Sequence, residues 1–219
     1  VGGITDIFPK TEFLILGIPV RDSIIQSWLI ALVILGGALW AHKRFRTWEP
    51  RPWQLVIEYF YDYVMTLVRD MGGRALPEVI PLIATMLAYI GIANLLGTLP
   101  VLQAPTRDIN VSAALSVVSL GAVWYFGIKE RGAVAYLRQF LNPLNLISEI
   151  SRMLSMTLRL FGNIMSGELI VAVVFSLVPP VAPVIFNALT MITSAIQALV
   201  FAVLTLVFII SATGVQSRS

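Results

Sequence analysis

Cysteine is absent from all 219 residues. That excludes disulfides, thiolate chemistry and cysteine-ligated metals. Charge is scarce as well: Asp, Glu, Lys and Arg together make up 12%, against ~25% in a soluble domain. The net charge of +3 is too small and too scattered for nucleic-acid binding. There is one histidine, His42, at the end of an apolar run, where an interfacial place is expected rather than a ligand role. No glycine-rich phosphate loop occurs, so nucleotide binding by this chain is not expected. Neither a metal nor a cofactor is expected. The start lacks the basic stretch and small-residue cleavage site of a signal peptide, and it begins at Val1, which leaves room for residues upstream. What the chain has in quantity is apolar side chains, 58% of the total. It reads as an integral membrane protein of the all-α class.

Taken in order, residues 1–22 form a mixed N-terminal segment broken by Pro9 and Pro19, with Phe8, Phe13 and Leu14 suited to a membrane surface. Residues 24–42 are the first span. It stops at His42-Lys43-Arg44-Phe45-Arg46, followed by Arg51. This is the strongest basic cluster and marks the cytoplasmic side, with the N-terminus opposite. Residues 53–71 alternate apolar positions with Glu58, Asp62, Arg69 and Asp70. That pattern predicts an amphipathic helix lying on the membrane surface. Residues 79–128 form a two-helix hairpin. It ends at Lys129, Glu130, Arg131 and later Arg138, again a cytoplasmic signature that agrees with counting spans from the first cluster. Residues 144–212 hold two segments, broken near Val178-Pro179-Pro180. At roughly 30 residues each, they exceed the ~20 that a perpendicular span needs. Five membrane helices and one surface helix are therefore expected, the last two long and strongly tilted, in one membrane domain over 1–219.

The stretch 145–176 carries Arg152, Arg159, Asn163 and Glu168 inside an apolar run. An ionisable group there is costly and usually functional. Helical spacing puts Arg152, Arg159, Asn163 and Ser166 on one face, with Ser148 and Ser155 beside it. Gly162 and Ser166 would let another helix approach. Arg159 stays charged, so it cannot carry protons by releasing them. A fixed cation can favour ionisation of a passing carboxylate and block a proton from slipping by, which makes a gate. The bland alternative is an arginine pinned inside the bundle by carbonyls and Gln197. Glu168 lies nine residues on, about 13 Å along an ideal helix. It suits either a proton-exchanging group at the far-side channel end or a buried packing acid. Glu149 and Arg152 suit a solvated helix end or the ion path. Asn94, Asn110, Ser112, Asn163, Thr190 and Ser194 suit a wet half-channel or plain interhelical hydrogen bonds. Thr190, Ser194, Gln197 and Phe201 share a face.

These residues resemble subunit a of the F-type ATP synthase. The densest match is Leu158-Arg159-Leu160-Phe161-Gly162-Asn163-Ile164 with Gly167-Glu168-Leu169; Ile196-Gln197-Ala198 with Phe201 and Leu204-Thr205 is a second. Pro105-Thr106-Arg107-Asp108-Ile109-Asn110 is a third, and Asn94, Pro143 and Asn145 also fit. The resemblance implies a noncatalytic channel subunit of a catalytic complex. Arg159 would be the stator arginine facing the c-ring, with Gln197 and Asn163 beside it. Glu168 would be the acid of the half-channel open to the periplasm or lumen. Implied partners are the c-ring with its membrane carboxylate, a b-type peripheral stalk, the remaining F1F0 complex and membrane lipid. The implied location is a bacterial inner membrane, a thylakoid membrane being the alternative. Protons are the expected ion, sodium the alternative. Some family members carry a histidine two turns before the glutamine, where this chain has Thr190. Two rival readings remain. An independent secondary transporter requires a complete substrate site and usually internal repeats, neither of which the sequence contains. A pure scaffold requires that Arg159 be replaceable.

Overall fold

The computed structural model describes residues 11–15, 18–45, 52–72, 77–97, 104–138, 142–177 and 181–214. The chain starts with a small antiparallel hairpin, β1 (Thr11–Ile15) and β2 (Ile18–Arg21), with Thr11 opposite Arg21. The sequence reading did not anticipate it. Alternating Thr11, Phe13, Ile15 and Ile18, Val20 suit strands, and a two-stranded sheet tolerates Pro19 because every strand is an edge. Phe8 and Pro9 lie outside the described residues, as do Arg46, Arg51, the break at Val178-Pro179-Pro180, and Arg218.

The membrane part is all helical. α1 (Asp22–Arg44) carries His42, Lys43 and Arg44 in its last turn, where cations suit the helix dipole. α2 (Pro52–Gly72) opens on proline, whose missing N–H costs nothing at a first helical position. Its Val64 and Val68 are buried, while Val56, Tyr59 and Tyr63 are exposed. The inner stripe is thus narrower than the apolar pattern suggested, and it docks on α3 and α7. α3 (Ile80–Leu96) and α4 (Ile109–Arg131) are each preceded by a 3-10 turn, Pro77–Val79 and Pro105–Arg107. Gly132 joins α4 to the short α5 (Ala133–Arg138) at φ +82°, a conformation that glycine adopts without a Cβ clash.

α6 (Pro143–Leu177) and α7 (Val181–Thr213) run 35 and 33 residues. Asn142 starts α6 by accepting the Leu144 N–H at 3.1 Å, an N-cap followed by proline. At 1.5 Å per residue each helix is about 50 Å long. The apolar bilayer core is ~30 Å thick, so both helices must slant through it or run past it. Among the described residues, α1, α3, α4, α6 and α7 are the five helices long and apolar enough to cross a membrane.

α7 is central and packs on α3, α4 and α6. Ser194, Gln197, Ala198, Phe201, Ala202, Thr205, Leu206 and Ile209 are all buried along it, a stripe with three-to-four spacing. Small residues there let helices approach where water supplies no driving force. One core cluster joins Val64, Val68, Ile83, Phe126 and Leu206; the other joins Met86, Ile90, Met156, Leu160 and Phe201. Lys129 pairs with Glu78, and Arg131 donates to the Ser211 carbonyl at 2.9 Å. These contacts tie the α3 start, the α4 end and the α7 end into one basic end of the bundle. The opposite end holds the turn 105–107, the α1 start, the α6 end and the α7 start.

Candidate functional site

Arg159 sits on the outward face of α6 and is exposed. Its Nη2 reaches Ser155 Oγ at 3.5 Å, the limit of a useful hydrogen bond. Among the described residues no carboxylate pairs with it. An open groove of about 260 Å3 runs beside it, lined by Ser148, Ser151, Arg152, Ser155, Met156, Arg159, Leu204 and Phe208. The helical face expected from spacing is therefore real for Ser148, Arg152, Ser155 and Arg159. Asn163 and Ser166 do not line that groove; Ser166 turns back to the Asn163 carbonyl at 3.2 Å. Arg152 behaves differently. Its guanidinium stacks 4.8 Å from the Phe208 ring and lies 3.3 Å from Glu149 Oε1.

Gln197 is buried on α7, and its Nε2 has no hydrogen-bond partner among the described residues. It does not pin Arg159. Asn163 Nδ2 and Ser194 Oγ are likewise buried and unpartnered. An unsatisfied buried donor costs about 1–3 kcal/mol, so three of them along the facing sides of α6 and α7 mark a strip that protein alone leaves short of partners.

Asn94, Thr106, Ser112 and Ser194 come together at the turn end. Asn94 Nδ2 donates to the Ser194 carbonyl at 3.1 Å, and Asn94 Oδ1 accepts from Thr106 Oγ at 2.8 Å. Ser112 Oγ donates to the Thr106 carbonyl at 2.8 Å. All four residues are buried, so the described bonds tie α3, the turn and α7 together at this end. Asn110 is apart from them. It lies exposed at the α4 start, where its N–H donates to the capping Asp108 Oδ1 at 3.0 Å.

Glu168 is half-buried on the turn-end part of α6. Thr190 packs at the neighbouring Gly167, where a Cβ would lie 2.6 Å from Thr190 Cγ2. That, and not Gly162, is the close approach of α6 and α7. Gly162 has open space around it, because it lies toward the outward face.

Two crossed ion pairs were not singled out from sequence. Arg107 Nη2 meets Asp22 Oδ2 at 2.8 Å, and Arg21 Nη1 meets Asp108 Oδ1 at 3.1 Å. A usable signal existed: Arg21-Asp22 and Arg107-Asp108 both precede spans that start on the same side.

A family profile described as ATP synthase A chain matches residues 24–210. ATP synthase subunit a 1 of Crocosphaera subtropica is 36% identical, covering 92% of this chain and 90% of its own length. ATP synthase subunit a of Moorella thermoacetica is 32% identical, covering 94% and 96%. A relative from Chlorobium luteolum, ATP synthase subunit a 1, is 35% identical over 90% and 91%.

Proposed function

This chain belongs to the ATP synthase A chain family, and we propose that it is the ion-translocating stator subunit of the F-type membrane sector. The observation that carries this reading is Arg159, a permanent cation midway along a membrane helix, facing outward with no acid of the described chain beside it. Such a charge is costly in lipid. A carboxylate on a neighbouring ring of c-subunits is the partner that would offset that cost.

On this reading the ion enters one half-channel and neutralises a ring carboxylate. It travels round with the ring and leaves by the other half-channel. Arg159 keeps the passing carboxylate ionised between the two and blocks a direct leak. The buried donors of Asn163, Ser194 and Gln197 would be satisfied by water, which supports a wet path between α6 and α7 toward Glu168. The groove with Ser148, Ser151 and Ser155 supports entry from the basic end. Asn94, Asn110, Ser112 and Thr190 are the further candidates for the path or its support: Asn94 and Ser112 in the buried network, Thr190 against Gly167, and Asn110 exposed at the α4 start.

One charge crossing 100 mV is worth ~2.3 kcal/mol, and that gradient energy drives the ring. The subunit is noncatalytic by itself; soluble subunits make or hydrolyse ATP. Residues 1–219 form one membrane domain. A b-type stalk and the remaining F1F0 complex are its partners. Its place is the bacterial inner membrane, with the basic end and C-terminus cytoplasmic and the N-terminus periplasmic.

The test is purification and gradient-driven synthesis. The chain should co-isolate with a ring of small hairpin subunits, and vesicles of the complex should make ATP from an imposed proton gradient. Isolation without a ring contradicts the assignment. Synthesis from a sodium gradient, insensitive to protonophore, overturns the choice of proton.

A further inference from the structure

Aromatic rings meet where α1 ends and α2 begins. The Trp53 ring, at the second residue of α2, lies 4.8 Å from the Trp40 ring and 6.1 Å, edge to face, from the Phe45 ring. Trp40 and Phe45 are still about half-exposed, so the rings cluster at the surface. Trp40, Lys43 and Arg44 are three and four residues apart and share one face of α1. Arg44 lies over the Trp40 ring at 5.6 Å, within cation–π range, which holds its guanidinium beside the rings. Lys43 and Arg44 are exposed, and among the described residues neither has an ion pair. The sequence from 40 to 53 adds Arg46 and Arg51 and a single acid, Glu49, so positive charge is in excess there.

α1 is long and apolar enough to span, and its last turn falls where lipid headgroups begin. Tryptophan favours that level, because its ring is apolar and its N–H is polar. Below the rings α1 offers an open apolar wall: Leu32, Leu35 and Leu39 are exposed, and Gly36 has nothing within 4 Å of a Cβ placed on it. α2 extends the wall sideways, since Val56 and Tyr63 follow Trp53 at helical spacing and are exposed. Apolar wall, aromatic boundary and unpaired cations stack in the order of an anionic phospholipid's chains, glycerol and phosphate. A partner helix fits this corner less well. The core of a protein interface is depleted of charge, and here two exposed cations stand beside the rings.

We propose that the α1–α2 corner binds an anionic phospholipid of the adjoining leaflet. Lys43 and Arg44 take its phosphate, and Trp40, Phe45 and Trp53 pack against its glycerol and upper chains. The site is separate from Arg159 and its groove. It holds whichever way the chain is oriented, because its chemistry needs only a lipid boundary. The bound lipid joins the surface helix to α1, whose own buried seam is narrow, with Ser23, Ile30 and Ala41 along it.

The experiment uses the whole complex in phosphatidylcholine vesicles carrying a trace of photoreactive phosphatidylglycerol, or of photoreactive phosphatidylcholine with the same chains. The subunit is digested and the labelled segment identified. The phosphatidylglycerol probe should label 36–60 well above the phosphatidylcholine probe. Each Lys or Arg near the surface adds ~1 kcal/mol to anionic-lipid binding, about fivefold. Lys43→Gln with Arg44→Gln should therefore lower the labelling about 25-fold. Those cations also help to orient α1, so a second variant keeps every charge. Trp40→Leu with Trp53→Leu should lower the labelling about two- to fivefold, the size of an exposed cation–π contact. Equal labelling by the two probes overturns the proposal, and so does wild-type labelling in the tryptophan variant or in a correctly inserted charge variant. An unlabelled corner in the wild-type complex would mean that another subunit covers it, and displacement of the probe by inorganic phosphate alone would reduce it to a free-anion site; either result also defeats the proposal.

Discussion

Two arginines seven residues apart on α6 have different surroundings. Arg152 is stacked on Phe208 and sits beside Glu149, which fixes its guanidinium. Among the described residues Arg159 has only the long contact to Ser155, so it remains available to a partner outside the chain. Between them they separate a structural charge from an exposed one on the same helix. The neutral network is testable at this scale too. Asn94→Ala removes an acceptor from Thr106 and a donor from the Ser194 carbonyl. Leaving such buried groups unpaired costs about 1–3 kcal/mol. The purified complex should lose this subunit at a lower temperature in a thermal-release assay, and an unchanged release temperature would show that the network carries no stability. Arg159 was legible in the sequence because a charge inside an apolar run announces itself. The Arg107 and Asp22 pair was not, since its partners are 85 residues apart and each looks like an ordinary helix-end charge.

Between elements, the crossing of α6 and α7 depends on Gly167. A methyl there would lie 2.6 Å from Thr190 Cγ2 and 3.1 Å from its Oγ, but 3.4 Å from its Cβ. Gly167→Ala should therefore push the helices apart at Glu168 and lower ATP synthesis several-fold, within the range of overpacking costs of ~1–3 kcal/mol. Adding Thr190→Ala removes the two close atoms and should restore most of the activity. A double variant as impaired as the single would show that this contact does not set the crossing. Periodicity located the polar face of α7 well, since Ser194, Gln197 and Phe201 are buried together. It does not tell which of two glycines five residues apart meets α7, and Gly167 is the one that does. The hairpin at 11–21 was hidden for a different reason: its strands are short, and Pro19 reads as a break unless the strand is an edge.

For the molecule as a whole, the helices sort charge to two ends. His42, Lys43, Arg44, Arg131 and Arg138 gather at one end, while the other end balances Arg21 and Arg107 against Asp108 and Asp22. The proposed orientation rests on the rule that positive charge stays cytoplasmic. The absence of native cysteine makes this simple to check with an impermeant maleimide. Leu177→Cys, 76% exposed, should label in intact cells, and Val134→Cys, 83% exposed, only in inverted vesicles. The opposite pattern would invert the topology. The five spans and the surface helix were legible from hydropathy and charge. The lateral arrangement, with α7 at the centre and α1 at the margin, was not, because apolar helices look alike to lipid and to one another.

The most direct measurement is gradient-driven ATP synthesis by vesicles whose complex carries Arg159→Ala and is assembled to the wild-type amount. A gate that depends on one outward-facing cation predicts no coupled synthesis. Synthesis at or near the wild-type rate would contradict it.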